Sequence, residues 1–167
     1  ATFDITANGS LNLSDTVGTS SSTGLVYMNG ASAQTISSTN GFIYDLEIDN
    51  ANGASLSGDF GVDMLTLDAG IFNINTSKLI SNNEIQTNGT FSSSLMIQTD
   101  GNASDGGLEY YFDGLTADPS SILYPIGTDA NSTIRYTPAS LDLSAIADDG
   151  SVSIGPVDNE LTTTEIN

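Results

Sequence analysis

The chain has 167 residues, 38% of them hydrophobic, which is enough for one domain with a real core, or one small domain plus an appendage. Its 21 Asp and Glu face only Lys78 and Arg135, and with no histidine the formal charge is -19. That balance excludes nucleic acid and anionic membrane as partners, because both recruit Lys and Arg to neutralise phosphate; polycationic partners, divalent metals and plain solubility in salty water stay open.

Cysteine is absent, which removes disulfides and thiolate metal sites without excluding secretion. No apolar stretch approaches the roughly 18 residues of a membrane span, and no charged-then-apolar signal segment opens the chain. The sequence starts at ATFDIT and stops at TTTEIN, both strand-like, and reads as a piece of a longer secreted chain.

From the start, apolar residues alternate with polar ones, as the two-residue period of a strand requires. In YDLEID, Tyr44, Leu46 and Ile48 take one side while Asp45, Glu47 and Asp49 take the other. LVYMN, MLTLD and EIQTN repeat the form, and Gly or Asn interrupts every run before a helical period can build. The inward pairs are Val26 and Met28, Leu46 and Ile48, Leu65 and Leu67, then Ile85 and Thr87, at steps of 20, 19 and 20 residues. Further strand candidates, ASLSGD and FGVD, then IFNINT and KLIS, lie between them. These spacings predict an all-β chain whose first part, residues 1–107, is a β-solenoid: a three-sided, right-handed parallel β-helix with about 20 residues per coil.

Two outward rows follow from the same alignment. One reads Asn29, Asp49, Asp68, Asn88; the other reads Tyr27, Glu47, Thr66, Gln86. With neighbouring coils about 4.8 Å apart, Asp49 and Asp68 side by side would favour a shared proton or a cation, against the plainer reading of a solvated corner.

Next, QTDGNASDGG at 98–107 spaces Asp100, Asn102 and Ser104 like the first positions of a calcium loop, with Asp105 following. An EF-type loop needs glycine at position six and a bidentate glutamate at position twelve; Asp105 and Tyr111 stand there, with Gly106 and Glu109 displaced. The sequence requires no cofactor, and calcium is the one ion these oxygens could collect in another geometry.

Beyond residue 107 the spacing is lost. LEYYFDG is aromatic, all four prolines fall in this half, and RYTPASLDLSAI, SVSIGPV and ELTTTEI read as antiparallel strands. Residues 108–167 are expected to form a small β-sandwich-like cap over the open end of the solenoid. A short helix from Ser140 is the alternative for SLDLSAIADDG, where the alternation of Leu141, Leu143 and Ala145 favours a strand.

Catalysis finds little footing. Serine nucleophiles lack a histidine partner, no Gly-rich phosphate cradle precedes a helix, and no tryptophan marks a sugar platform for a carboxylate pair. The N-x-(S/T) match at Asn8, Asn12, Asn75, Asn88, Asn102 and Asn131 is expected by chance in so Asn- and Ser-rich a chain.

Taken in order, Gln34 and Ile36, then Leu46, Ile48 and Asn50, then Gly53, Leu56 and Gly58, then Leu65, Leu67 and Gly70 form a G-x-x-x-Q-x-I, (F/Y)-x-L-x-I-x-N, N-x-x-G-x-x-L-x-G, L-x-L-x-x-G succession. Tyr124, Pro125, Ile126 and Gly127, with Tyr136 and Pro138, follow as (F/Y)-P-(V/I)-G and Y-x-P. This succession resembles a repeat module of large secreted surface proteins and adhesins of Bacteroidota. The resemblance implies an extracellular or outer-membrane-anchored, non-enzymatic stalk module, exported by type IX secretion and serving adhesion or gliding motility. Its implied partners are neighbouring modules, subunits of the same protein, or surface glycans, with no membrane insertion. DTV, Asp15 to Val17, is similar to the Asp-(Ser/Thr)-apolar site of O-glycan attachment in these bacteria and makes Thr16 a glycosylation candidate. Two other readings remain: a carbohydrate- or calcium-binding adhesin tip, and a fibre subunit that assembles by strand exchange.

Overall fold

The computed structural model describes residues 3–5, 10–14, 16–17, 25–112, 121–129, 132–143 and 148–158. Among them the chain runs β1 (Phe3–Ile5), β2 (Ser10–Leu13), β3 (Thr16–Val17), β4 (Leu25–Met28), β5 (Gln34–Ser38), β6 (Gly41–Asp49), β7 (Ala54–Ser57), β8 (Phe60–Ala69) and β9 (Phe72–Asn75). It continues with β10 (Lys78–Ser81), β11 (Ile97–Thr99), β12 (Gly107–Phe112), β13 (Ser121–Tyr124), β14 (Ile126–Thr128), β15 (Arg135–Tyr136), β16 (Ala139–Asp142) and β17 (Gly150–Ile154).

The strands build two large sheets. The first has the order β1-β4-β6-β8-β10-β12-β17, with β3 also on β6; the second has the order β15-β14-β11-β9-β7-β5-β2; β13 and β16 form a small antiparallel pair. Between β4 and β10 the chain alternates from one large sheet to the other, so neighbours within a sheet run parallel.

The register is the one the alternation predicts. Val26 pairs with Leu46 and Met28 with Ile48; Leu46 pairs with Leu65 and Ile48 with Leu67. The Tyr27, Glu47, Thr66, Gln86 row also forms, closed by a bridge from Thr66 to Gln86. Alternation is what sets this: each pair buries both members, and a slip by one residue would turn every apolar side chain to water.

The architecture is not the expected right-handed β-solenoid with a separate antiparallel cap. Both large sheets are mixed and parallel-rich, and neither is strongly curled or closed. One physical reason lies in β8. FGVD and MLTLD, read as separate strands on different sides of a coil, are a single ten-residue strand in which Val62 and Leu65 point inward while both Asp63 and Met64 point out. β6 does the same: Tyr44, expected on the side of Leu46 and Ile48, instead faces out together with Asp45, between the inward Ile43 and Leu46. The second reason lies past residue 107. There β12 runs parallel to β10, with Leu79 opposite Leu108, and β14 runs parallel to β11. The antiparallel strands β17 and β15 then border these same two sheets instead of making a cap of their own.

Residues from both sheets form one apolar core, including Met28, Ile36, Leu46, Leu56, Phe60, Leu65, Phe72, Leu79, Leu108 and Ile126. Ile122, Tyr124 and Leu143, from around the small pair, join it. Tyr110 and Tyr124 meet edge to face at 4.7 Å. The Tyr110 hydroxyl accepts the Ile85 amide at 3.1 Å and donates to the Leu123 carbonyl at 3.1 Å. Burial raises the pKa of both phenols, that of Tyr124 to about 12, so both donate as neutral hydroxyls. SLDLSAIADDG is strand over Ala139–Asp142, as its alternation favours, while residues 144–147 and the ELTTTEI tail lie outside the described residues.

Candidate functional site

The turns between the sheets hold a buried polar cluster. Gln34, at the head of β5, and Asn50, just after β6, are both buried. The Asn50 amide donates to the Ser32 carbonyl at 2.8 Å and to Gln34 Oε1 at 2.9 Å, while its Oδ1 accepts the Asn52 amide at 2.9 Å. Gln34 Oε1 also takes the Gly30 amide at 2.9 Å. Buried amides survive only when such partners exist, and here they bind the turn at 30–34 to the turn at 50–53. Gly70 completes the cluster. It has φ +78, and a Cβ there would sit 2.1 Å from the Asn50 carbonyl oxygen. No other residue fits that approach. The sequence offered these residues as a motif without showing why they are needed together.

Of the two carboxylates in the outer row, Asp49 pairs in register with Ala69 across a bulge, so Asp49 and Asp68 are not opposite each other. Each has its own donor. The Tyr27 hydroxyl reaches Asp49 Oδ2 at 2.8 Å, and Asn88 gives its backbone and side-chain amides to Asp68 at 2.7 and 2.6 Å. Between them, Glu47 is held above the usual carboxylate range by burial, then by the charges of Asp68 and Asp49.

The loop at 98–107 is a clamped turn. The Asn102 amide donates to Asp105 Oδ2 at 2.9 Å and the Asp105 amide to the Asn102 carbonyl at 3.1 Å. Outside contacts hold it at both ends: the Gly106 amide to the Thr76 carbonyl at 3.0 Å, and the Asp158 amide to the Gly101 carbonyl at 2.9 Å. Asn102 and Ser104 are exposed. Burial, and next the charges of Asp105 and Asp129, raise the pKa of Asp100. Asp105 Oδ1 is buried with no hydrogen-bond partner. Among the described residues no three His, Cys, Asp or Glu side chains are grouped closely enough to hold a metal ion.

Thr16 lies in β3, paired with Phe42, and its side chain is outside the described residues, as are Asn8 and Asn131. The two cations are both engaged. Lys78 Nζ meets Glu109 at 2.6 Å and Arg135 meets Asp158 at 2.7 Å. Lys78, and then Ser151, hold the Glu109 carboxyl below its usual range. An open trough of about 420 Å³ runs over the second sheet past Gln34, Ser55, Asn73, Gln98 and Ile134, and no titratable side chain lines it.

No family model, curated protein or solved structure matches the chain. Among the described residues, no helix is long and apolar enough to cross a membrane.

Proposed function

We propose that this chain is a non-enzymatic structural module of an extracellular bacterial surface protein, an adhesin or filament that supports attachment or gliding motility. The observation that carries this reading is the role of the motif residues themselves. Gln34, Asn50 and Gly70 staple successive turns together, and Leu46, Leu56 and Leu65 fill the core. The residues that bear the resemblance to Bacteroidota surface modules are therefore framework residues. Parallel strands paired side by side bear load through many hydrogen bonds at once, and the acidic coat keeps neighbouring modules apart.

Two measurements test this. The parent gene should hold tandem relatives of the Gln34–Asn50–Gly70 pattern, and a chain pulled end to end by force spectroscopy should resist as one unit. A single copy in the parent together with rupture at the force of an unstructured chain would overturn it.

A second reading, a calcium-binding tip module, is favoured by one observation, the unpartnered Asp105 Oδ1 beside Asp100 in the 98–107 turn. On this reading, calcium raises the melting temperature of the wild type and leaves Asp105→Asn unmoved. An equal response from both refutes it.

A further inference from the structure

The solvent face of the first sheet carries a combination that the structural role does not call for. Its central rows place Phe42, Gly61 and Ile80 side by side, then Leu25, Asp45 and Met64, then Tyr27, Glu47 and Thr66. Tyr44 and Asp63 lie between the first two rows. Phe42 and Tyr44 meet edge to face at 5.2 Å, and Phe42 lies over Gly61, where a Cβ would come within 2.6 Å of the ring. Met64 is 44% exposed. Two shallow depressions result, one of about 200 Å³ walled by Phe42, Gly61, Ile80 and Asp59, the other of about 270 Å³ walled by Leu25, Asp45, Met64 and Thr66.

We propose that this face binds an extended, Lys- or Arg-bearing polypeptide segment that also carries apolar side chains. An extended segment presents alternate residues on one side, so apolar groups can enter the two depressions while its cations meet the carboxylates between and beside them. Charge chooses the occupant. The apolar groups alone would accept many partners, but Asp45, Glu47, Asp59 and Asp63 ring them, and the chain's only two cations are committed to Glu109 and Asp158. Among the described residues neither the Asp45 nor the Glu47 side chain has a hydrogen bond or ion pair. Glu47 is crowded by Asp68 and Asp49, a repulsion that an incoming cation relieves. A second copy of this chain, at -19 itself, is repelled, as are nucleic acid and anionic lipid.

The test is fluorescence anisotropy of a labelled peptide alternating Leu and Lys, run beside oligolysine of equal charge, an alternating Leu and Glu peptide and a neutral oligosaccharide. The Leu–Lys peptide should bind, weaken as salt rises, and outbind oligolysine by about tenfold, a difference of about 1.4 kcal/mol. Met64→Ser, and separately Asp45→Asn with Glu47→Gln, should each weaken it by a similar factor, with no fall in melting temperature. The remote pair Asp148→Asn with Asp149→Asn should leave binding within about twofold. Oligolysine binding as tightly as the Leu–Lys peptide, with Met64→Ser leaving both unchanged, reduces the face to diffuse charge and overturns the proposal. So does failure of the Leu–Lys peptide to bind, or Met64-dependent binding of the oligosaccharide in its place.

Discussion

Replacing Asn50 with alanine removes three hydrogen bonds at once from a buried position: to the Ser32 carbonyl, to Gln34 Oε1 and from the Asn52 amide. Each contributes about 1 kcal/mol net, and a buried partner left bare adds to that. Gln34 Oε1 keeps the Gly30 amide, so it is not orphaned, and the Ser32 and Asn52 groups lie where water can reach part of them. The expected loss is therefore about 3 kcal/mol, or a fall of roughly 6–12 °C in melting temperature for a chain of this size. Asn52→Ala is the internal reference. Its side chain makes one exposed bond, to the Ala31 carbonyl at 3.1 Å, and its loss should stay below about 1 kcal/mol. Urea unfolding followed by circular dichroism measures both, and the slope against denaturant should not change. If Asn50→Ala loses no more than Asn52→Ala at equal slope, the amide cluster is not what holds the turns, and the reasoning fails.

Gly70→Ala forces a Cβ against the Asn50 carbonyl at a positive φ and should destabilise by more than about 1 kcal/mol in the same assay; a neutral result refutes the close approach. Tyr110→Phe keeps the ring contact with Tyr124 but strips the Ile85 amide and the Leu123 carbonyl of their partner, for an expected loss of about 2 kcal/mol by denaturation. Two carboxylates make opposite pH signatures. Glu47 has a raised pKa in the fold, so the native state holds its proton more tightly than the unfolded chain, and this group's destabilisation grows as pH rises through that range. Glu47→Gln should therefore raise the melting temperature at pH 7 and bring no gain once pH falls below the ordinary 4.5 of a glutamate. The pKa of Glu109 is lowered by Lys78, so its contribution is present above 4.5 and is lost as pH falls through its folded value; Glu109→Gln should lower the melting temperature at pH 7 and lose that deficit in acid. Identical pH profiles for wild type and both variants would contradict the assigned charges.

The pairing of the first sheet was legible because alternation is a local property: Val26, Leu46 and Leu65 announce their register by spacing alone. The number of sheets was not. Asp63 and Met64 both face water inside one strand, and a pattern of two outward residues in a row reads as a break between strands. The fate of the second half was hidden for a different reason. β12 pairs with β10 at an offset of 29 residues, Lys78 to Gly107, because the stretch between them takes a longer excursion than the steps before it, and a search at twenty residues passes over it. In the turns, Gln34 and Asn50 could be noticed as a pattern, but nothing in the order of letters says that one side-chain oxygen would serve two donors. The 98–107 loop shows the opposite failure. Its oxygens were conspicuous, yet two of the residues that bear them, Asn102 and Ser104, are exposed.

The parallel pairing carries a kinetic consequence. From β4 to β10, each strand's neighbours within its sheet lie about twenty residues away along the chain, so no single long-range encounter has to precede the rest. Assembly can start at any adjacent pair and advance by one short loop closure at a time. Opening retraces the same course, which makes the borders the first parts to exchange their amide protons and leaves β6 and β8, held on both sides, as the slowest.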